Sequence, residues 1–213
     1  IAADGSRSPQ IIVSGRDFYS FPRFSPDGAR LFWTAWDHPQ MPWDGCELWV
    51  GDITAADTVE NPRLVAGGTR ESIFQPEWGP DGSIHFVSDR TGWWNLYVER
   101  DGTITAITSM EAEFGYPQWV FGLSRYGFLG DGIAALHTRD GSDFVAIIDR
   151  ESGDVRELDL PYTSISWLVT DGRDGLALIG SSPTRAPEVA MAEVGSGRLE
   201  VVKQSLELDI DPG

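Results

Sequence analysis

Two stretches hold residues whose types and spacing suit recognition chemistry. In Trp36-Asp-His-Pro-Gln-Met-Pro-Trp-Asp-Gly45, His38, Trp43 and Asp44 put an imidazole, an indole and a carboxylate on one loop. Long loops held by a rigid scaffold are where binding usually resides. In Glu111-Ala-Glu113, two closely spaced carboxylates can hold a cationic amino group through charge-assisted hydrogen bonds. Each stretch also has a plainer reading. Trp36, Met41 and Trp43 would pack the first loop against a neighbour, and Glu111 and Glu113 would be a solvated acidic loop.

Covalent catalysis finds no support, and no catalytic residue is assigned. A nucleophile elbow needs Gly-x-Ser-x-Gly between a strand and a helix. The nearest string, Gly122-Leu-Ser-Arg-Tyr-Gly127 around Ser124, has one residue too many. His38, His85 and His137 have no partners at metal-ligand spacing, so neither metal nor cofactor is expected. His85 and His137 fall within apolar, strand-like runs and read as core or interface residues. Cys46, just before Glu47-Leu-Trp-Val50, reads as a small buried side chain. A single thiol requires no oxidising compartment and leans the chain slightly toward the cytoplasm. Asp89-Arg90 with Trp93-Trp94 fits either a platform for flat ligands or a clasp that orders a hairpin.

The elements that position these residues are set by an internal repeat. Phe21-Pro-Arg-Phe-Ser-Pro-Asp-Gly28 recurs as Phe74-Gln-Pro-Glu-Trp-Gly-Pro-Asp-Gly82, so that Pro22, Phe24 and Pro26-Asp27-Gly28 map onto Pro76, Trp78 and Pro80-Asp81-Gly82. Each copy reads as a short strand, a Pro-Asp-Gly reversal and a returning apolar strand. Tyr116-Pro-Gln-Trp119 reads as the start of a third copy, with Trp167 in the place of Trp119 in a fourth. Repeats of roughly 40 to 50 residues built from strands and turns indicate propeller blades. The expected fold is all-β: a partial or open propeller of about four four-stranded blades plus a half blade. The blades span about 21–68, 74–108, 116–160 and 164–202. Residues 1–20, with a strand at Ile11–Val13, would end a preceding blade, and residues 205–213 would form a connector.

Composition narrows the partners. The net charge of −17, from 16 basic and 33 acidic residues, repels phosphate backbones and anionic lipid, so nucleic acid and membrane surfaces are not expected partners. No apolar run reaches the roughly 20 residues of a membrane-spanning helix. The 24 glycines and 13 prolines suit many short strands joined by tight turns. Four and a half blades would leave apolar faces open, where self-association can start.

Three strings carry a resemblance beyond the Pro-Asp-Gly turns: Ser88-Asp-Arg-Thr-Gly-Trp-Trp-Asn-Leu-Tyr97, Trp36-Asp-His-Pro-Gln-Met-Pro-Trp-Asp44 and Glu113-Phe-Gly-Tyr-Pro-Gln-Trp-Val-Phe-Gly122. Together they resemble the N-terminal β-propeller of the prolyl oligopeptidase (S9) serine peptidases, nearest the acylaminoacyl- and dipeptidyl-peptidase-like members. The resemblance implies a C-terminal α/β-hydrolase domain carrying a Ser-Asp-His triad outside this chain, to which residues 205–213 would lead. It implies that the propeller covers the active site, filters short peptides and contributes contacts to their amino ends, and it favours a structural role for Asp89 and Arg90, ordering the hairpin between strands two and three of the second blade, with Trp93 and Trp94 packing between blades. In the dipeptidyl members an adjacent glutamate pair holds that amino end, whereas Glu111 and Glu113 are separated by Ala112. The competing reading is a freestanding TolB- or WD40-like propeller acting as a protein-binding scaffold. A glycosidase-like propeller is a third, requiring carboxylates about 5 to 10 Å apart across a pocket.

Overall fold

The computed structural model describes residues 4–206, which contain sixteen strands and no helix. The strands form four four-stranded antiparallel sheets, each built from consecutive strands. They fall into two compact units, Ile1–Ile73 and Phe74–Gly213.

The first unit holds β1 (Phe18–Phe24), β2 (Arg30–Trp36), β3 (Glu47–Ile53) and β4 (Val59–Gly67). Residues 25–28 close the first hairpin by side-chain chemistry specific to the Pro-Asp-Gly sequence. The Asp27 carboxylate accepts from the Ser25 hydroxyl (2.5 Å) and the Ala29 amide (3.0 Å), and Gly28, at φ 72°, donates to Ser25 O. The positive φ explains the glycine. On one face of the sheet Leu31, Trp33 and Ala35 pack with Val13, Tyr19, Trp49, Ile53 and Val59. Cys46 is buried, its thiol donating to Ile73 O and its sulfur accepting from Ile73 N, each at 3.2 Å.

In the second unit three sheets pack in series. They are β5 (Ile73–Trp78), β6 (Ile84–Ser88), β7 (Asn95–Arg100) and β8 (Thr103–Ala106); then β9 (Tyr126–Leu129), β10 (Gly132–Arg139), β11 (Ser142–Asp149) and β12 (Val155–Leu158); then β13 (Ser164–Thr170), β14 (Gly175–Ser182), β15 (Arg185–Glu193) and β16 (Leu199–Gln204). The β5–β6 reversal repeats the chemistry of the first hairpin, with Asp81 Oδ1 accepting from the Ser83 hydroxyl (2.5 Å) and amide (3.1 Å). Burial pushes the Asp81 carboxyl up, but the Ser83 hydrogen bonds and the Arg100 guanidinium outweigh it and bring it down to about 2. Phe74, Val87 and Leu96 pack against Ile133, Ala135, Ala146 and Ile148 of the next sheet. Leu129, Ala134, Leu136 and Val145 in turn meet Ile165, Leu168, Leu176, Leu178, Ala190 and Ala192.

Three of the four first strands, β1, β5 and β13, share a distortion. Phe21, Gln75 and Trp167 all have positive φ (48°, 43° and 57°), and the pairing register shifts around Phe21 in β1 and around Trp167 in β13. Bulky residues rarely adopt this conformation, so the surroundings must impose it. At Gln75 the compensation is visible. Its amide accepts from Arg125 N (2.6 Å) and Tyr126 N (3.3 Å) and donates to Tyr126 O (2.8 Å), while Gln75 O accepts from the Tyr126 hydroxyl (2.8 Å).

Four sequence expectations are corrected. The half-blade strand at Ile11–Val13 is absent: residues 4–17 contain no strand, and Ile12 and Val13 lie instead beside the Trp33 and Trp49 face of the first sheet. Tyr116–Trp119 is not the first strand of the third sheet, which begins at Tyr126; residues 107–125 form a long connector instead. Trp167 corresponds by backbone conformation to Phe21 and Gln75, not to Trp119. Trp93 does not pack away but is 40% exposed, while Trp94 joins the core beside Phe74. The connector expected over 205–213 falls, from residue 207 onward, outside the described residues.

Two outcomes follow. Gln75→Ala strands three buried backbone groups and lowers stability by about 3 kcal/mol in urea unfolding; an unchanged midpoint would show that the next sheet does not depend on this side chain. His85 is fully buried against the Phe128 ring, and burial lowers its imidazole to about 4, from 6.5. The unfolded chain therefore takes up a proton before the folded one does. Stability is complete above about pH 6.5 and declines by up to about 3 kcal/mol as pH falls toward 4. His85→Leu removes that part of the slope, as measured by comparing urea midpoints at about pH 7 and about pH 4.5.

Candidate functional site

The recognition loop of the first unit is the β2–β3 connection, residues 37–46. A carboxylate lattice holds it. Arg16 bonds Asp37 Oδ2 at 2.6 Å and also pairs with Glu47; Asp17 N donates to Asp37 Oδ1, and the His38 amide donates to Asp17 Oδ2 at 3.0 Å. The Asp17 amide and the Arg16 guanidinium hold the Asp37 carboxyl below its ordinary value. Phe18 stacks on Trp36 at 5.5 Å, closing the base of the loop. On this base the His38 side chain is exposed. Trp43 is half-buried, so its indole is partly committed to packing. Asp44 is exposed, but its carboxylate accepts from the Met41 amide at 3.0 Å and shapes the turn.

In the second unit, Glu111 and Glu113 part company. Glu111 is exposed, whereas Glu113 is half-buried and its Oε2 accepts from the Trp94 amide at 3.0 Å. The Glu113 backbone exchanges hydrogen bonds with Thr138 at 3.0 and 2.9 Å. Glu113 therefore clasps the connector to β10. Close by, the Trp94 ring lies so near Gly115 that any Cβ there would fall 1.7 Å from it, which fixes glycine at that position. Arg90 lies over the Tyr97 ring at 5.0 Å and bonds Ser88 Oγ, while Asp89 O accepts from Gly92 N at the β6–β7 turn.

The sequence reading missed the anchor of this region, Arg125, which is 3% exposed. Its guanidinium donates to Phe114 O, Glu113 O and Thr138 Oγ1, lies 3.6 Å from Asp143 Oδ1, and sits over the Tyr116 ring at 4.8 Å. Burial lowers its pKa from the ordinary value, with Asp143 the main opposing charge. A lone basic residue within Leu123-Ser-Arg-Tyr126 was the available signal. Beyond this anchor the connector exposes Trp119, Val120 and Phe121, at 72%, 54% and 75%. Ser124 donates to Leu168 O at 2.6 Å and receives a longer contact from Gln75 Nε2; these partners are structural. Among the described residues no group of three or more His, Cys, Asp or Glu side chains is placed to hold a metal. Each unit has a cavity, of about 290 Å³ beside Trp33 and Trp49 and about 270 Å³ beside Asp143 and Tyr162, and neither is lined by a predicted site residue.

Neither a family model nor a curated protein sequence matches the chain. Solved structures do. A puromycin-hydrolysing peptidase of Mycobacterium tuberculosis superposes with a TM-score of 0.88 at 33% identity, over 95% of this chain and 31% of its own. This chain is homologous to the propeller of S9 peptidases. It spans about a third of the length of that peptidase. At 15% identity a prolyl endopeptidase shares the fold with a TM-score of 0.67, over 90% of this chain and 27% of its own. TolB from Acinetobacter baumannii shares it at 16% identity with a TM-score of 0.65, over 95% and 47%. Within the matched region the third sheet opens with β9 directly after Arg125, and the aromatic connector runs into that anchor.

Arg125→Met leaves the Glu113 and Phe114 carbonyls and Asp143 without their buried cation. It lowers stability by about 3 to 5 kcal/mol and speeds proteolysis within residues 116–123. Urea unfolding and limited proteolysis check this, and an intact connector in the variant would contradict it.

Proposed function

We propose that the chain is a non-catalytic propeller portion of an S9-type serine peptidase, capping the hydrolase active site and admitting short peptides while excluding folded proteins. The observation that carries this reading is the 33% identity with the Mycobacterium tuberculosis puromycin-hydrolysing peptidase across 95% of the chain. Acyl transfer through a serine nucleophile belongs to polypeptide other than these residues, which lack a Gly-x-Ser-x-Gly elbow.

In this reading the acidic balance of the chain favours ligands with a free amino group. Glu111 is the better of the two carboxylates to meet that group, because Glu113 already holds the Trp94 amide. His38, Trp43 and Asp44 contribute from a loop whose base is fixed by Arg16, Asp17 and Asp37. A base fixed in advance lowers the entropy lost on binding. Puromycin is the first substrate to test, by extension from the relative's activity.

The test compares this chain with the natural-length protein on puromycin and on short aminoacyl arylamides. The chain alone shows no turnover, and the natural-length protein hydrolyses them. In that protein Glu111→Gln raises KM about threefold to tenfold with kcat nearly unchanged, the pattern of lost uniform binding. Turnover by the chain alone, or a natural-length protein without hydrolase activity, overturns the reading.

A further inference from the structure

The cavity of about 270 Å³ beside Asp143 and Tyr162 lies apart from both the β2–β3 loop and the connector before β9; its walls come from β11, β12, the segment after β12 and the start of β13. The walls are of two kinds. Val145, Leu158 and Ile165 form an apolar side that belongs to the core between the β9–β12 and β13–β16 sheets. Asp143, Glu157 and Asp159 supply carboxylates, and no basic residue lines the space. At the density of liquid water the volume corresponds to roughly nine molecules, room for a compact organic ligand.

The carboxylates differ in how far they are already engaged. Asp143 is committed: Oδ1 accepts from the Thr138 hydroxyl at 2.5 Å and Oδ2 from Ile165 N at 2.9 Å, with Arg125 3.6 Å away. Glu157 pairs with Arg139 through Oε1 at 3.2 Å, and Asp159 is exposed with no hydrogen-bond or ion-pair partner among the described residues. Two guanidiniums thus stand against three carboxylates, which leaves one negative charge for a ligand. His137 independently points to the same place. It is fully buried, and neither ring nitrogen has a hydrogen-bond partner. Its ring stacks on Phe144 of the cavity wall at 5.4 Å, and Nε2 lies 3.1 Å from Glu157 Oε1 without the alignment of a hydrogen bond. A buried ring nitrogen left unsatisfied is costly and calls for an explanation. A small rotation of the Glu157 carboxylate would satisfy it, and a cation drawn to Glu157 from the cavity side would hold that rotation.

We propose that this cavity binds a small organic ammonium ion, a primary amine with a compact apolar body such as an arylalkylamine, at a site separate from the loops assigned to the peptide amino end. Asp159 supplies the charge and Glu157 the second acceptor, through charge-assisted hydrogen bonds. Val145, Leu158 and Ile165 receive the apolar body. The Tyr162 hydroxyl already donates to Glu188 at 2.6 Å, so this residue offers only its ring, which favours a cation over an anion. An anion of the same shape meets like charge on the acidic side and is rejected. Binding at Glu157 completes a chain from ligand through carboxylate to the His137 ring. The proposal does not rest on the peptidase reading.

Calorimetric titration of the natural-length protein with phenethylamine tests this, with phenylacetate as the anionic control. Phenethylamine binds saturably and phenylacetate does not. Asp159→Asn weakens the amine by about tenfold or more, the loss expected for one charge-assisted hydrogen bond, whereas Glu111→Gln leaves its binding unchanged. In protein carrying ¹⁵N-labelled histidine, the amine shifts the His137 ring signals toward the Nε2–H tautomer at constant pH, and Asp159→Asn abolishes the shift at the same amine concentration. Binding lost in Glu111→Gln but kept in Asp159→Asn overturns the proposal by placing the amine at the amino-end loop. Equal binding of phenylacetate, or no saturable binding of the amine, also overturns it. Puromycin hydrolysis is assayed in parallel: a protein that binds the amine without hydrolysing puromycin keeps this site and loses only the function reading.

Discussion

The second unit depends on one buried cation. Arg125 receives Gln75 from the preceding sheet at its backbone amide, holds the connector through the Glu113 and Phe114 carbonyls, and faces Thr138 and Asp143 of its own sheet. Asp143 then accepts from Ile165 N at the start of the following sheet, so a single polar chain crosses three sheets. A buried guanidinium is tolerable only when nearly every donor is used and a counter-charge is near. Those requirements bind the surrounding backbone to one arrangement. Sheets packed through flat apolar faces could slide, and this network fixes their register.

The positive-φ residue of β5 works toward the same end. At Gln75 the distorted backbone turns a side chain out of its own sheet and into the backbone of the next, where it satisfies three groups on β9 and the residue before it. The strain of that conformation is of order 1 to 3 kcal/mol and is offset by hydrogen bonds that a regular strand could not make. Histidine fits the same faces in another way. His85 and His137 are fully buried, and burial disfavours the charged form of both. They serve these interfaces as neutral aromatic rings, beside Phe128 for one and Phe114 and Phe144 for the other.

A scaffold fixed in this way leaves its loops available for recognition. The β2–β3 loop is held at its base by Arg16, Asp17 and Asp37 while His38 remains exposed. The connector before β9 is held by Arg125 and Glu113 while Trp119, Val120 and Phe121 remain exposed. Rigid attachment with exposed tips is the arrangement expected of surfaces that orient small flexible ligands. It also divides the work within a motif: Glu113 and Asp44 shape backbone, and Glu111 and His38 are the members facing solvent.

By itself the sequence determined the local elements. The Pro-Asp-Gly reversals, most of the strands and the sheet-by-sheet repeat follow from turn chemistry and short-range apolar patterning, which need only neighbouring residues. The burial of Cys46, His85 and His137 was legible for the same reason. Only the tertiary structure decided which strand opens the third sheet. Tyr116-Pro-Gln-Trp119 matches the motif locally, but the connector is held by Arg125 and Thr138, far along the chain, and the strand forms only at Tyr126. Ile11–Val13 has strand-forming residues, yet a strand requires a hydrogen-bonding edge, and Val13 packs instead on the face of the first sheet. The separation of Glu111 from Glu113 was equally hidden, because it depends on an amide donated by Trp94. Each of these outcomes turns on hydrogen bonds between residues distant in sequence, whose geometry no local pattern encodes.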